Sequence, residues 1–289
     1  MSKQLVWFIT GASTGFGLTL TKRILARGDS VVATARTLSR FDPLLSDPNT
    51  DLKRIQVLEL DVTSPPSVIQ DVVKTAIGRF GRIDVVVNNA GTGGGVGPSE
   101  ELGLDLMMMV MKTNYGGTIA VTDAVLPYMR ERREGTVVII GSRSGYRNEF
   151  LGPAAYCASK AAVHSYGETL SAEVAEFNIR VTVVVPGAFD TGLALPLVGT
   201  PIADYDRARE VLRKRVEDRK NMPIQGDPVK AMDALMDTVK GEGKAAGKGK
   251  LPLWLFLGSD CLVDVKARAD KLKKVVDEWA DVGTGLEKD

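Results

Sequence analysis

Short apolar segments of strand length alternate with helix-length segments along most of this 289-residue chain. Each apolar segment is continuous, as is typical of parallel strands that are buried on both faces of a sheet. The predicted strands are residues 5–9, 31–35, 55–60, 84–87, 136–140 and 180–185. Strands that alternate with helices in this way predict an α/β fold, doubly wound around one parallel sheet.

A glycine-rich turn directly follows the first predicted strand. Residues 10–17 read T-G-A-S-T-G-F-G, and a helix is predicted over 18–27. Glycine lets the backbone approach a ligand closely, and the free N–H groups at the start of a helix attract an anion. A plain tight turn would also use these glycines, but the position after the first strand favours a pyrophosphate site.

The second predicted strand ends at Ala35 and Arg36. Dinucleotide-binding units that prefer NAD usually place a carboxylate here, where it accepts hydrogen bonds from the ribose hydroxyls. Neither residue offers a carboxylate, and a guanidinium suits the 2′-phosphate of NADP(H) instead. An ordinary exposed arginine is the alternative interpretation. The pattern favours NADP(H) as the cofactor.

Tyr156 and Lys160 lie four residues apart in a segment that predicts a helix over 154–177. Residues at this spacing share one helix face, so we expect the ammonium close to the phenol. A free phenol has a pKa of about 10 and is a poor base near neutral pH. A cation about 5 Å away favours the phenolate by roughly 3 kcal/mol at an effective dielectric of about 20. The pair suits acid–base chemistry, although such pairs also occur by chance on surface helices.

Other polar and glycine-rich segments also follow predicted strands. They are N-N-A-G at 88–91, G-S-R-S-G at 141–145 and P-G-A-F-D-T at 186–191. The carboxyl ends of parallel strands meet at one edge of a sheet, where open α/β sheets bind their ligands. This shared location argues against a chance pairing of Tyr156 with Lys160.

These motifs together resemble the short-chain dehydrogenase/reductase family over residues 5 to 191. The resemblance rests on T-G-x-x-x-G-x-G at 10–17, N-N-A-G at 88–91, Asn114, a serine near 142, Y-x-x-x-K at 156–160 and P-G-x-x-x-T at 186–191. It implies a single Rossmann-type domain with a doubly wound, seven-stranded parallel sheet, in which residues 251–257 form the last strand.

The resemblance assigns a catalytic set of Asn114, Ser142, Tyr156 and Lys160. At the family's usual spacing before the tyrosine stands Arg143, with Ser142 and Ser144 on either side. Ser142 finishes the fifth strand as the family's serine does, and one extra residue between 146 and 151 explains the offset. We therefore prefer Ser142, with Ser144 as the alternative.

The resemblance also implies what each residue does. Tyr156 would give its proton to the substrate oxygen, which Ser142 would hydrogen-bond. Lys160 would bind the nicotinamide ribose, and Asn114 would hold a water that relays protons to it. The implied cofactor-binding residues are Gly11, Ser13, Gly15, Phe16, Gly17, Arg36, Asp61, Val62, Asn88, Ala90, Gly91, Tyr156, Lys160, Pro186, Gly187 and Thr191.

The implied activity is that of an NADP(H)-dependent carbonyl reductase or alcohol dehydrogenase. Leucine, valine, proline and tyrosine in 193–216 would border the nicotinamide and suit a lipophilic ketone, aldehyde or secondary alcohol. Two alternatives stay open: imine or enone reduction on the same fold, and a non-catalytic NADP(H)-binding sensor or scaffold for a non-redox cyclisation. The intact tyrosine, lysine, serine and asparagine favour the enzyme.

Beyond residue 191 the family pattern thins. We expect one domain over 1–289, with a core at 5–191, a substrate lid at 192–223, and C-terminal helices and the last strand at 224–289. A highly charged helix is predicted over 204–220, and its apolar residues form a narrow stripe. Bound substrate would cover that stripe if the helix is a lid, whereas a fixed peripheral helix is the alternative.

The composition limits the partners. A net charge of +1 argues against nucleic acid or an anionic membrane as the main partner, and no apolar stretch is long enough to span a bilayer. Two cysteines and the absence of signal-peptide features predict reduced thiols and a cytoplasmic location. We predict no metal site, a packing or interface role for His164, and a homodimer or homotetramer through the helices at 101–131 and 153–177.

Overall fold

The computed structural model describes residues 4–193, 195–221 and 226–287. These residues form one parallel sheet of seven strands in the order β3-β2-β1-β4-β5-β6-β7, so the predicted doubly wound sheet is confirmed. The strands are β1 (Val6–Ile9), β2 (Ser30–Ala35), β3 (Ile55–Glu59), β4 (Val85–Asn88), β5 (Gly135–Ile140), β6 (Ile179–Pro186) and β7 (Trp254–Leu257). The last strand starts three residues later than predicted because Pro252 has no N–H to donate to the sheet.

Helices cover both faces of this sheet. They are α1 (Gly15–Ala26), α2 (Asp42–Leu45), α3 (Pro66–Phe80), α4 (Ser99–Met111), α5 (Gly117–Arg132), α6 (Ala154–Glu173), α7 (Asp206–Asn221), α8 (Pro228–Lys240), α9 (Ser259–Glu278) and α10 (Ala280–Gly283). A π-helical turn (Lys112–Gly116) joins α4 to α5. None of the helices in the described ranges is long and apolar enough to cross a membrane.

The strands are apolar throughout because a helical layer packs on each side of them. In β1, Trp7 and Ile9 pack against α1 and α8, whereas Phe8 points into the core under α3, α5 and α6. All three side chains are fully buried. The continuous apolar pattern of the sequence therefore reflects a sheet with two buried faces.

The strand order places a crevice at the middle of the sheet. β1 pairs with β2 on one side and with β4 on the other, so the chain reverses its direction of winding between β3 and β4. Loops that leave the carboxyl ends of β1 and β4 consequently diverge to opposite faces. Open α/β sheets bind ligands at such a point.

The segment after β6 carries the predicted lid. The charged helix predicted over 204–220 is α7, and a short turn over 203–205 leads into it. Residues 194, 222 and 223 of the predicted lid lie outside the described residues, as do residues 224, 225, 288 and 289 of the predicted C-terminal segment.

Candidate active site

The loops at the carboxyl ends of β1 to β6 enclose one cavity of about 1530 Å³. This volume exceeds the roughly 300–1,000 Å³ of a site for one drug-sized ligand. The cavity extends from Arg36 and Arg40 after β2 to Phe150 and Leu195 beyond the ends of β5 and β6. It has room for a dinucleotide together with a second, smaller molecule.

The glycine-rich turn after β1 packs so closely that side chains are excluded at two of its positions. Gly11 has a φ of +64°, and a Cβ there would lie 2.9 Å from Cα of Ala90. Gly15 has a φ of +52°, and its Cβ would lie 2.9 Å from the carbonyl oxygen of Thr191. Two loops that are far apart in sequence, those after β4 and β6, therefore converge on this turn.

The first helix begins within the same turn. α1 starts at Gly15, and the side chain of its N-cap residue, Thr14, makes no capping hydrogen bond. Ser13, Gly15 and Phe16 line the cavity, while Gly17 packs behind them against Gly11. An uncapped helix start that borders a cavity is a ready site for the phosphates of a dinucleotide.

Thr10 and Asn89 fasten the loop after β4 to the loop after β1. The Thr10 hydroxyl accepts hydrogen bonds from the backbone N–H groups of Asn89 and Ala90, both at 3.0 Å. The Asn89 amide donates to the carbonyls of Thr10 at 2.9 Å and Gly11 at 3.0 Å. These bonds hold the loop after β4 against the glycine-rich turn.

One end of the cavity is rich in cations. Arg36 and Arg40 are exposed at the end of β2, and both line the cavity together with Lys112 and Asp61. The Asp61 carboxylate accepts hydrogen bonds from the N–H and hydroxyl of Thr63, both at 2.8 Å. These bonds, and the charges of Arg36 and Lys112, lower the pKa of Asp61. The guanidiniums of the two arginines can pair with a phosphate. The ionised Asp61 carboxylate can accept a hydrogen bond from the adenine ring or from a ribose hydroxyl of a nucleotide.

Tyr156 and Lys160 lie on the first turns of α6 and both line the cavity. The Lys160 Nζ atom lies 5.7 Å from the centre of the Tyr156 ring and donates a 2.7 Å hydrogen bond to the Ile140 carbonyl. Burial lowers the pKa of Lys160 to about 8. The ammonium has three protons and uses one on Ile140, so two remain for other acceptors.

The structure separates the two candidate serines by burial and by contacts. Ser142 is buried at the end of β5, and its hydroxyl accepts a 3.1 Å hydrogen bond from the N–H of Ser144. Ser144 is half-buried, and both residues line the cavity. Ser142 keeps a hydroxyl proton free to donate, because its oxygen acts as the acceptor in this contact.

His164 lies one turn beyond Lys160 on α6 and supports the serine loop from behind. Its Nε2 atom accepts a 3.2 Å hydrogen bond from the Ser142 N–H, which assigns the neutral ring a proton on Nδ1. The ring packs between Tyr146 and Trp254, at centroid distances of 5.1 and 5.4 Å. Burial, and then the charge of Lys160, lower its pKa to about 3. The predicted packing role is confirmed, and it places His164 directly against the loop of Ser142.

Arg143 turns away from the position that the family's spacing assigns to a serine. Its guanidinium binds Asp260 at 2.8 Å and Asp264 at 2.9 Å, both on α9. Asp260 also accepts a 2.8 Å hydrogen bond from the N–H of Ala188. The start of α9 therefore ties the loop after β5 to the loop after β6.

Two of the predicted asparagines lie outside the cavity wall. The Asn114 side chain, on the π-helical turn, accepts from the Thr92 N–H at 2.7 Å and donates to the Ser159 hydroxyl at 2.9 Å. Asn88 turns towards α5 and donates to the Thr122 hydroxyl at 2.9 Å. Both amides brace the cavity from behind. Of the predicted site residues, only Gly17, Asn88 and Asn114 do not line the cavity.

Sequence reasoning missed several residues that the structure adds to the wall. Asn89, Arg40 and Lys112 line the nucleotide end, and Arg147 and Arg215 line the opposite end. Asn89 could have been found, because it stands inside the N-N-A-G motif. The other four carry no local signal, since exposed arginines and lysines are common on any surface. No group of three metal-ligating side chains comes together within the described ranges.

Comparisons with known proteins find similar chains over most of this sequence. Residues 5–199 match the family described as short chain dehydrogenase. The chain is 32% identical to oxidoreductase BOA17 of Botryotinia fuckeliana over 283 residues, which cover 96% of this chain and 97% of that protein. It is 38% identical to a 3-ketodihydrosphingosine reductase of Bacteroides thetaiotaomicron over 194 residues, or 66% of each chain.

A solved structure is similar over nearly the whole chain. The crystal structure of a short-chain dehydrogenase from Streptomyces avermitilis superposes with a TM-score of 0.84 and 34% identity, over 99% of both chains. The seven-stranded fold agrees with this match. This chain belongs to the short-chain dehydrogenase family of oxidoreductases.

Proposed function

We propose that the protein is an NADP(H)-dependent carbonyl reductase or alcohol dehydrogenase that acts on a lipophilic ketone, aldehyde or secondary alcohol. The observation that carries the proposal is that Tyr156, Lys160 and Ser142 line the same cavity as the glycine-rich turn. A proton donor, a buried cation and an oxyanion hydrogen-bond donor are the groups that carbonyl reduction requires from a protein.

The residues present fit a nicotinamide dinucleotide that carries a 2′-phosphate. Gly11 and Gly15 form a cradle that any Cβ would fill, and the start of α1 borders it. Arg36 and Arg40 line the end of the cavity where β2 stops, and no carboxylate belongs to that turn. When bound in this cradle, a nicotinamide would supply the hydride for the carbonyl carbon. The guanidiniums support NADP(H) over NAD(H). They can pair with the 2′-phosphate of NADP(H), whereas NAD(H) has an uncharged hydroxyl at that position.

Tyr156 holds the proton that the developing alkoxide takes up. Lys160, a buried cation beside the phenol, favours the phenolate that remains after this transfer. Ser142 donates its hydroxyl proton to the same oxygen and thereby orients the carbonyl. Asn114 accepts a hydrogen bond from Thr92 in the loop after β4 and donates one to Ser159 on α6. We propose that it positions α6 and this loop.

The far end of the cavity supports a mainly apolar substrate. Phe150, Pro153, Leu193 and Leu195 contribute to this wall. The name of the similar 3-ketodihydrosphingosine reductase describes reduction of a long-chain ketone, which supports the same substrate class here. Arg147 and Arg215 also border this wall, so we propose that an acidic group at the far end of the substrate is accepted as well.

We also propose the lid, the assembly and the location that the sequence predicts. Leu193, Leu195 and Arg215 line the cavity, which supports a substrate-covering role for residues 192–223. Leu104 and Met108 of α4 are exposed apolar side chains, which supports a homodimer or homotetramer through α4, α5 and α6. Two free, buried cysteines suit a reducing compartment such as the cytoplasm.

The proposal is tested by following the oxidation of NADPH and of NADH with a panel of carbonyl compounds. The panel contains ketones of increasing alkyl chain length, each as a neutral molecule and with a terminal carboxylate, together with an imine and an enone. We expect turnover with NADPH that improves with chain length. Saturable NADPH binding without turnover of any compound would favour the non-catalytic alternative. Turnover of only the imine or the enone would show that the protein is an imine or enone reductase and not a carbonyl reductase.

A further inference from the structure

The C-terminal helix α9 leaves most of its length exposed. Its first turns are anchored: Cys261 is buried and Asp260 and Asp264 bind Arg143. From residue 269 to residue 287 every residue is exposed. Within this part Lys271 forms an exposed ion pair with Glu149, which contributes little stability. A helix with so little tertiary packing is marginal on its own, so an apolar face on this part would gain stability from a covering partner.

The projecting part carries an apolar stripe. Ala269, Leu272, Val275 and Val276 lie on one face of α9 at three- and four-residue steps. Trp279 is the C-cap residue of α9, and Val282 continues the same spacing in the short helix α10. Trp279 is 64% exposed and Val276 is 67% exposed. No side chain of the described residues covers the stripe, which is larger than the scattered apolar residues of an ordinary surface.

We propose that this stripe is an interface with a second copy of the chain, in which two α9 helices pack antiparallel around a two-fold axis near Val275 and Val276. A two-fold interface must be complementary to itself, so its sequence should read alike in both directions from the axis. The stripe does so: Val275, Leu272 and Ala269 on one side are matched at equal distance by Val276, Trp279 and Val282 on the other.

The charges that border the stripe are arranged in the same way. At 100° per residue, Lys273 and Asp277 lie along one edge of the stripe, and Lys271 and Glu278 lie along the other. In an antiparallel pair each edge meets the same edge of the second copy running in the opposite direction. Within one copy these exposed groups already form ion pairs, Lys273 with Asp277, Lys274 with Glu278 and Lys271 with Glu149. In the antiparallel pair Lys273 also lies near Asp277 of the second copy and Lys271 near Glu278, so unlike charges meet on both edges and these pairs can exchange partners across the interface.

A parallel pair or a membrane suits these residues less well. In a parallel pair each edge of the stripe would meet the opposite edge of the second copy at the same height, so Lys273 would lie near Lys271 and Asp277 near Glu278. The two domains at the anchored ends of α9 would also be brought together. A helix that lies on an anionic lipid surface has a polar face rich in lysine and arginine. Between Ser259 and Glu278, α9 has five basic and five acidic residues, so its charge gives no net attraction to such a surface.

The first experiment measures the mass of the full chain by sedimentation over a range of concentrations. Val276→Asp places a charge on the stripe, whereas Ala267→Asp places the same charge on the opposite, exposed face of the same helix. We expect Val276→Asp to halve the mass of the assembly, or to raise its dissociation constant at least tenfold, with Ala267→Asp unchanged. An assembly that is equally stable in both variants, or a wild-type chain that stays at 31.0 kDa throughout, would overturn the proposal.

The second experiment tests the direction of the pair by oxidising single cysteine variants. In the antiparallel pair, the cysteine of Val276→Cys lies at the axis, next to the same cysteine of the second copy. The cysteine of Leu262→Cys would lie about 40 Å from the same cysteine of the second copy, at about 1.5 Å per residue. The natural cysteines are buried and give a low background. We expect a covalent dimer from Val276→Cys alone. Cross-linking of both variants would indicate a parallel pair and overturn the antiparallel arrangement, and cross-linking of neither would overturn the interface.

Lipid is tested with vesicles of phosphatidylcholine, with and without phosphatidylserine. We expect the wild-type chain to stay in solution with both. Flotation of a chain that is monomeric in solution, lost in Val276→Asp, would show that the stripe binds a lipid surface and would overturn the pairing.

Discussion

The pair Tyr156 and Lys160 carries the proposed proton transfer, and its two members can be separated by substitution. Tyr156→Phe removes the phenol oxygen and keeps the ring, so we expect turnover to be lost and the cofactor dissociation constant to stay nearly unchanged. Lys160→Ala should damage both, because the ammonium also has protons available for the cofactor. The measurements are steady-state kinetics and a binding titration. More than about a tenth of wild-type activity in Tyr156→Phe at saturating cofactor would mean that another group is the acid.

Arg36 is the residue on which the cofactor preference depends. A charge-assisted hydrogen bond to the 2′-phosphate contributes roughly 1.5–3 kcal/mol, or about tenfold to a hundredfold in affinity. We expect Arg36→Ala to weaken NADPH binding by about this factor and to leave NADH binding nearly unchanged. Arg40→Ala is the matched comparison at the same end of the cavity. Equal losses for both cofactors in Arg36→Ala would contradict the assignment.

His164 is a positioning residue for the loop that presents Ser142. We expect His164→Gln, whose amide oxygen can still accept from the Ser142 N–H, to keep more of the turnover number than His164→Ala, with little change in cofactor KM. A purely structural role would lower the stability of both variants without this difference in turnover number.

The titration of His164 gives a second test, because it is the only histidine in the chain. Its pKa is lowered to about 3 in the folded protein by burial and by Lys160, with Tyr146 packed on the ring. The unfolded chain takes up this proton near pH 6.5, so the contribution of His164 to stability is complete above that pH. It falls by about 1.4 kcal/mol per pH unit as the pH drops towards 3. We expect the single imidazole NMR signal not to titrate between pH 8 and 5; a midpoint near 6.5 would show that the ring is not buried and neutral.

At the scale of elements, α7 is more firmly anchored than a freely moving lid. Leu212 on its apolar stripe is buried, and Arg209 pairs with the buried Glu101 of α4. The stripe is thus partly covered by the protein itself, in contrast to the expectation that substrate would supply this contact. The loop that precedes α7 provides the cavity-lining Leu193 and Leu195 instead. Any lid motion therefore belongs mainly to that loop.

Hydrogen exchange can distinguish the loop from the helix. We expect amides of residues 195–202 to gain protection only when cofactor and a substrate or inhibitor are both present. Amides in the first three turns of α7 should already be protected in the free protein, since local opening would have to break the Glu101–Arg209 pair. Unchanged exchange in both segments would assign this region a structural role and move the search for specificity to the loops after β4 and β5.

At the scale of the whole molecule, the strand order decides which parts of the chain meet. Arg36, the glycine-rich turn, Ser142 and Tyr156 are spread over much of the sequence, and they line one cavity because β1 to β6 all end at the same edge of the sheet. The two ends of α9 differ in their surroundings. Its start connects two loops of the site through Asp260, and its other end projects from the domain. An interface on the projecting part would connect two copies without covering the part that touches the site.

The amino-acid sequence by itself determined the strands, the helices, the glycine-rich turn and the pairing of Tyr156 with Lys160. These features depend on local periodicity, on backbone freedom and on spacing within one helix, so they can be read without knowing which segments meet. Ser142 was preferred over Ser144 from its place at the end of a strand, and the tertiary structure adds the burial and the hydrogen bonds that distinguish the two.

Only the tertiary structure decided which side chains face the cavity. Asn88 and Asn114 stand in family motifs, yet their buried amides make hydrogen bonds with Thr122, Thr92 and Ser159 and do not face the cavity. Arg143 binds two carboxylates of α9, more than a hundred residues later in the chain. The apolar stripe can be recognised from the sequence as a helix pattern, but its exposure depends on which other segments pack against the helix, and no local pattern contains that information.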